Sequence, residues 1–421
     1  MTLTMSSVPR IDSPTLEKRA WLLGLLHRNI SEYFAHWEDS AFSRDRLDAV
    51  YLDWIEEGLH LNDRFEFVAF LRRCVAKLRN GHSYCYDETA PLYLTNASKL
   101  GFSLEKIGDQ WVVVQSEVPE VKPGFVVEYI DRRTPSEWMR KLNDVNGFTK
   151  TEAKEIQWQN FMPEVWRADS ATLGVIDLTD RAREIKYSPP KLSVKDTTRT
   201  ATSSVAITAP GWLKEEKVAY LPVPSFAEPR FEEAALKQLH EFSDASGIII
   251  DVRGNGGGST PGKLIAALMD VPYRDWTETC PDVAYLSNRH KGEPGSLKIF
   301  DDGSGGRWES DYVRSDSCVF KGKLVILMDR RTASAAEDFV MPFKDTGRAT
   351  LVGETSWGST GMPIMWSYDS IHFGIGSIRA YMPSGESFEG IGISPDITVK
   401  RTREDITSEM DPALERALSI M

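Results

Sequence analysis

Apolar positions along the chain keep a helical period over the first eighty residues. Leu16, Leu22, Leu23, Leu26, Ile30 and Phe34 fall on one face, the recurrence expected of a helix with one buried side. Ser13 followed by Pro14 reads as its start, a cap and then a first-turn proline. A second helix is expected from Asp63, with Glu66 three residues on in a capping-box pattern. It turns Phe67, Phe70, Leu71, Cys74 and Leu78 inward and stops at Asn80 and Gly81, which leaves His82 just past a helix C-terminus.

From about residue 100 the period shortens. GFSLEKI, QWVVVQ and GFVVEYI are brief apolar runs divided by turn residues, and they predict a small β-rich module. Helical and turn-rich sequence follows, with strands expected again at KLSVK and SSVAITA. From Lys217 onward strands and helices alternate: VAYLPV, FEEAALKQLHEFSD, GIIIDV, a helix from Thr260 with Pro261 in its first turn, KLVILMD and SAAEDFVMPFKDTG. This alternation predicts a parallel or mixed sheet covered by helices, where ligands gather at the C-terminal ends of strands.

Composition excludes several classes. A chain of 421 residues is long enough for two or three domains, and its net charge of −12 leaves no basic surplus to displace counterions from nucleic acid. No run approaches the roughly 20 apolar residues of a membrane span, and MTLTMSSVPRIDSP lacks a signal-peptide pattern, so the expectation is a cytoplasmic protein. Cys74, Cys85, Cys280 and Cys318 have no metal-ligand spacing and read as reduced thiols, with no metal site expected.

Two chemistries compete for the loop RGNGGGSTPGK. The stretch Gly257 to Lys263 fits a phosphate-loop spacing between a strand and a helix. Leu264, however, stands where a metal-binding hydroxyl belongs, and Pro261 lacks an N–H for the cradle. The other chemistry is acyl transfer, which needs a nucleophile near backbone donors. Ser334, in RRTASAAEDF, sits where KLVILMD turns into the next helix, and the Ala335 N–H at that helix start points where an oxyanion would form. The plain alternative is that Ser334 only caps the helix.

At this point several blocks, VAYLPVPSF, GIIIDVRGNGGG, LVILMDRRTASAAEDF, GRATLVGETSWG, EGIGISPDITV and DPALERAL, resemble in order and spacing the C-terminal-processing (tail-specific) serine proteases and their tricorn-type and retinoid-binding-protein relatives. The resemblance implies an α/β fold with a crotonase-like (ClpP-like) protease core over residues 206–421. It also implies a PDZ-like β module over 93–205 and an N-terminal helical region over 1–92. Ser334 becomes the nucleophile, with an oxyanion hole from Ala335 and from Gly256 or Gly257. The implied partner is a peptide or protein substrate, with no cofactor, and an oligomer is compatible with this. The lysine of the family's Ser/Lys dyad is missing, because its position is occupied by Ser359. Lys344 lies ten residues along the helix, roughly 15 Å away at 1.5 Å per residue. The tricorn-type branch instead implies His82 as base and Glu389 as its polar partner. That branch has a serine directly before the histidine, whereas this chain has Gly81 there and Ser83 after it, so Ser83 is the candidate for orienting His82. A catalytically inactive peptide- or ligand-binding protein on the same scaffold is the rival reading.

Overall fold

The computed structural model describes residues 13–90, 97–145, 147–148, 150–191, 209–213 and 217–421. KLSVK and SSVAITA lie almost wholly outside them, as do residues 1–12 and the expected domain boundaries at 92/93 and 205/206. The architecture is mixed α/β with several sheets. Its centre is a six-stranded sheet in the order 397–398, 350–353, 323–328, 247–251, 218–222 and 211–213. Every neighbouring pair is parallel except the antiparallel edge strand Gly211–Leu213.

The continuous apolar runs of the middle strands follow from burial on both faces. Leu221, Ile248, Ile250, Leu324 and Ile326 pack toward the helices Pro229–Glu241, Gly262–Leu268 and Ala335–Thr346. The alternate residues Tyr220, Ile249, Val325 and Leu327 face Ala413 and Ala417 of the C-terminal helix Pro412–Ile420. Strands Gly247–Asp251 and Lys323–Met328 run parallel and end side by side, so the loops after them share one end of the sheet.

That end is braced by a buried ion cluster. The Arg253 guanidinium spans Asp251 (2.6 Å) and Asp411 (2.7 Å), and Tyr220 Oη donates to Asp251 at 2.6 Å. Asp411 also caps the C-terminal helix by accepting the Leu414 N–H, so one arginine ties the loop after Asp251 to the helix on the far face.

The β module is a five-stranded antiparallel sheet of residues 102–107, 110–116, 126–130, 171–176 and 182–187. Its last two strands, ATLGVI and AREIKY, correct the turn-rich reading of that region. Asp177 makes the hairpin by accepting the N–H and hydroxyl of Thr179 and the N–H of Arg181, while Asp180 adopts φ +57°, a side-chain-built turn of the Asx kind.

The first helix, Leu16–Tyr33, starts two residues later than Ser13–Pro14 suggests. Thr15 is its cap, accepting from the Lys18 N–H, and Leu16 is left exposed. Helix Arg64–Ala76 is capped by Asp63 as its sequence predicts. Both helices share a core with Ile371, Phe373 and Ile375 of a distant hairpin formed by strands Pro363–Tyr368 and Ile371–Gly376. Strand Tyr84–Asp87 pairs with that hairpin, Tyr84 opposite Gly374 and Asp87 opposite Ile371. This pairing carries His82 toward the C-terminal third of the chain.

Arg253→Ala should leave Asp251, 4% exposed, as a buried carboxylate without its cation. A loss of about 3–5 kcal/mol is expected from urea unfolding, against less than about 0.5 kcal/mol for an exposed arginine such as Arg230.

Candidate active site

Ser334 lies between the strand Lys323–Met328 and the helix Ala335–Thr346, with φ +54° and ψ −126°. That backbone conformation is costly for a residue with a side chain, and three contacts impose it. The Ser334 N–H donates to the Ser359 carbonyl at 3.0 Å and to Glu337 Oε2 at 3.1 Å, and the preceding Ala333 N–H donates to the Asn255 carbonyl at 3.0 Å. The turn throws the Ser334 hydroxyl outward, where its Oγ lies 3.1 Å from His82 Nε2, although the two residues are 252 apart in sequence.

His82 is held from its other side by Ser359. His82 Nδ1 is 3.1 Å from Ser359 Oγ, and the Ser359 hydroxyl donates to Glu389 Oε1 at 2.8 Å. With the Nδ1 proton donated to Ser359, Nε2 is left as a lone-pair acceptor for Ser334. The chain of contacts is therefore Ser334, His82, Ser359, Glu389. Asn80 supports both ends: its Nδ2 donates to Glu389 Oε1 at 3.0 Å, and its Oδ1 accepts the His82 N–H at 3.0 Å.

Ser83 does not touch the imidazole ring, which corrects the expectation that it orients His82. Strand pairing turns it away: its hydroxyl donates to Asn80 Oδ1 and accepts the Gly376 N–H. Gly81 explains how Ser359 comes so close. A Cβ at residue 81 would lie 2.9 Å from both Ser359 Oγ and Phe148 Cε1, so only glycine leaves the bridging hydroxyl its place.

Burial sets the protonation of this chain of groups. It lowers His82 from an ordinary histidine's 6.5 to about 4, which keeps the imidazole neutral. It also raises Glu389 to about 8, while donation from Ser359 pulls the other way. Both ends are thus pushed toward their uncharged forms.

The glycine loop approaches the same serine. A Cβ on Gly257 would stand 2.7 Å from the Ala333 carbonyl oxygen and from Ser334 Cβ, so this contact needs glycine, as does its φ of +95°. The Gly257 N–H is already donated to Asn255 Oδ1 at 2.9 Å. The amides of Gly256 and Ala335 have no such hydrogen bond among the described residues. Thr260 does not open the next helix: the helix begins at Gly262, and the Thr260 hydroxyl donates to Asp338. Lys344 is paired with Asp396, away from the serine.

A cleft of about 1170 Å³ joins Ser334, His82 and Trp357 to Gly101, Phe102 and Gln159 of the β module. Among the described residues no group of three His, Cys, Asp or Glu side chains is arranged to hold a metal ion, and no helix is long and apolar enough to cross a membrane.

Comparison with known proteins shows similarity of sequence and of fold. The model of the family described as peptidase family S41 matches residues 217–399. The chloroplastic C-terminal processing peptidase of Tetradesmus obliquus is 27% identical over 222 residues, covering 51% of this chain and 42% of that protein. The carboxyl-terminal-processing protease of Synechocystis sp. is 27% identical over 212 residues, covering 49% and 44%. The chain thus spans less than half the length of these relatives. Among solved structures, mature CPAF complexed with lactacystin superposes with a TM-score of 0.70 at 14% identity, covering 96% of this chain and 97% of that one. The photosystem II D1 C-terminal processing protease gives 0.51 at 18% identity, covering 91% and 93%. At these identities the structural likeness is one of fold.

Gly257→Ala should force backbone against backbone at the serine turn. The expected cost is about 1–3 kcal/mol, read as a lowered denaturant midpoint. Gly262→Ala, where an added Cβ meets nothing within 4 Å, should be near neutral.

Proposed function

We propose that this chain, whose residues 217–399 match the model of peptidase family S41, is a serine-type peptidase of that family. It hydrolyses peptide bonds in peptide or protein substrates, as an endopeptidase or a carboxy-terminal-processing peptidase. The observation that carries this reading is the 3.1 Å contact between His82 Nε2 and Ser334 Oγ, because a serine hydroxyl attacks only when a base within hydrogen-bond reach takes its proton.

In the proposed mechanism Ser334 Oγ attacks the substrate carbonyl carbon while His82 Nε2 takes the hydroxyl proton. The imidazolium keeps its Nδ1 proton and is steadied by Ser359, whose own hydroxyl is anchored on Glu389. The oxyanion accepts from the Ala335 N–H and from the glycine loop, each donor contributing about 3–4 kcal/mol in the transition state. Gly256 is the loop amide open to this role, whereas Gly257 would first have to release Asn255. His82 then gives its proton to the leaving amine. A water that loses a proton to His82 cleaves the acyl-enzyme, and His82 returns that proton to the departing Ser334 Oγ. No step calls on a metal or an organic cofactor.

In the same reading the six-stranded sheet and its helices are a crotonase-like core, and the five-stranded sheet is a PDZ-like module. Strand Phe102–Ile107 is an edge of that module, the kind of edge to which an extended peptide can add. Gln159 now covers it: its carboxamide accepts the Leu104 N–H and donates to the Leu104 carbonyl, both at 2.8 Å. A peptide pairing at Leu104 would displace that side chain.

A serine-reactive fluorophosphonate should label Ser334 in the intact protein and fail with Ser334→Ala. His82→Ala should slow labelling by roughly 10²–10⁴-fold, and Ser359→Ala by about 10- to 100-fold. Equal labelling of the wild type and His82→Ala would remove His82 from the mechanism. No labelling, together with an uncut peptide library, would favour a peptide-binding protein instead. Adding Gly81→Ser to Ser359→Gly should return part of the lost rate, since the hydroxyl would then come from residue 81.

The pH profile is a second test. Because burial holds His82 near 4, the base stays neutral as pH falls below 6.5. The acid limb of kcat/KM should therefore lie below pH 6.5, toward 4. A limb at or above 6.5 would show that burial does not depress His82 in the working enzyme.

A further inference from the structure

Glu337 stands one turn beyond Ser334 and touches neither the cleft nor His82. It is fully buried, in the first turn of the helix that Ser334 precedes. A glutamate three residues after a helix cap commonly reaches back to the cap N–H as half of a capping box, and Glu337 Oε2 does accept the Ser334 N–H at 3.1 Å. A capping role accounts for that contact only. Three further donors converge on the same carboxylate from the loop 356–359. Ser356 Oγ donates to Oε1 at 2.5 Å, the Gly358 N–H to Oε1 at 2.7 Å, and the Ser359 N–H to Oε2 at 3.0 Å.

Each oxygen of Glu337 thus takes two donors, and Oε2 takes one from each of the two segments that meet at His82. One segment carries the Ser334 hydroxyl. The other carries the Ser359 hydroxyl, and its Ser359 carbonyl also accepts the Ser334 N–H. We infer that Glu337 is a positioning residue that fixes Ser334 and Ser359 relative to each other, so that both hydroxyls reach opposite nitrogens of His82. This inference rests on the proposed peptidase reading for its catalytic consequence, and on the four contacts alone for its structural one.

The substitution Glu337→Gln is discriminating because no orientation of a carboxamide suits the site. At Oε2 its NH₂ group would face two backbone N–H donors, and at Oε1 it would still face the Gly358 N–H even if the Ser356 hydroxyl turned to accept. An isosteric change should therefore disturb the relay while leaving the helix packing intact. Ser356→Ala is the milder variant: it removes one donor to Glu337, leaves the carboxylate in place and frees the Ile393 N–H that the Ser356 hydroxyl accepts.

Two readouts on the full chain separate the outcomes. The first is the rate at which a fluorophosphonate labels Ser334. The second is the ¹⁵N and ¹H resonance of the His82 imidazole in histidine-labelled protein, which reports the Nδ1–H bond to Ser359 without requiring activity. Glu337→Gln should slow labelling on the order of 100-fold and shift the His82 signal toward that of Ser359→Ala, with the thermal transition still cooperative. Ser356→Ala should slow labelling roughly 3- to 10-fold with a smaller shift in the same direction. Labelling within twofold of wild type and an unchanged His82 signal in Glu337→Gln would overturn the inference. If that variant does not fold, the same null result in Ser356→Ala overturns it. Should the wild type fail to label and leave a peptide library uncut, the peptidase reading falls, and the His82 signal still decides whether Glu337 holds the two serines in register.

Discussion

The site depends on a backbone turn that costs free energy to make. Ser334 sits at φ +54°, in a region that costs of order 1–3 kcal/mol for a residue with a side chain and persists only where the surroundings impose it. The surroundings here are the loop after Asp251, the loop 356–359 and the first turn of helix Ala335–Thr346. Asn255 holds Ala333, the Ser359 carbonyl holds the Ser334 N–H, and the Ser334 carbonyl accepts the N–H groups of Glu337 and Asp338. The turn faces the hydroxyl away from the helix it would otherwise cap. The strain is thereby converted into direction.

Around that turn polar groups are packed as densely as a core allows. Asn255, Thr332, Glu337, Ser356, Ser359, Thr360 and Glu389 are all buried, beside strands rich in Ile, Leu and Val. In such an apolar setting each hydrogen bond is stronger than in water, and each missing partner is costlier. Asp338 extends the same logic, accepting the hydroxyls of Thr260 and Thr360 and so joining the glycine loop to the loop of Ser359. Geometry at one serine is therefore a property of three loops, none of which can shift alone.

The parts of this arrangement that were legible in the sequence are those written into local pattern. Apolar runs ending in Asp251 and Asp329, alternating with helical stretches, foretell a helix-covered sheet whose loops meet at one end. Asp63 foretells its helix, and Ser334 announces itself by standing at a strand-to-helix turn. What stayed hidden depends on pairing at a distance. Ser83 looks like the natural neighbour of His82, yet the pairing of Tyr84–Asp87 with residues 371–374 turns its hydroxyl toward Gly376. Ser359 looks like a vacancy where a lysine is missing, and only the fold places it between His82 and Glu389. The hairpin 171–187 escaped because an aspartate side chain, not a glycine pair, builds its turn.

Gly81 has a consequence for what this scaffold can tolerate. The place of a Cβ on residue 81 and the place of the Ser359 hydroxyl overlap at 2.9 Å, and the imidazole of His82 closes the remaining side at 3.1 Å. One small volume therefore admits one occupant. A long side chain at 359 would run into the imidazole, and any side chain at 81 would evict the hydroxyl now there. Residues 81, 82 and 359 therefore constrain one another sterically, and a change of size at one limits what the other two can be.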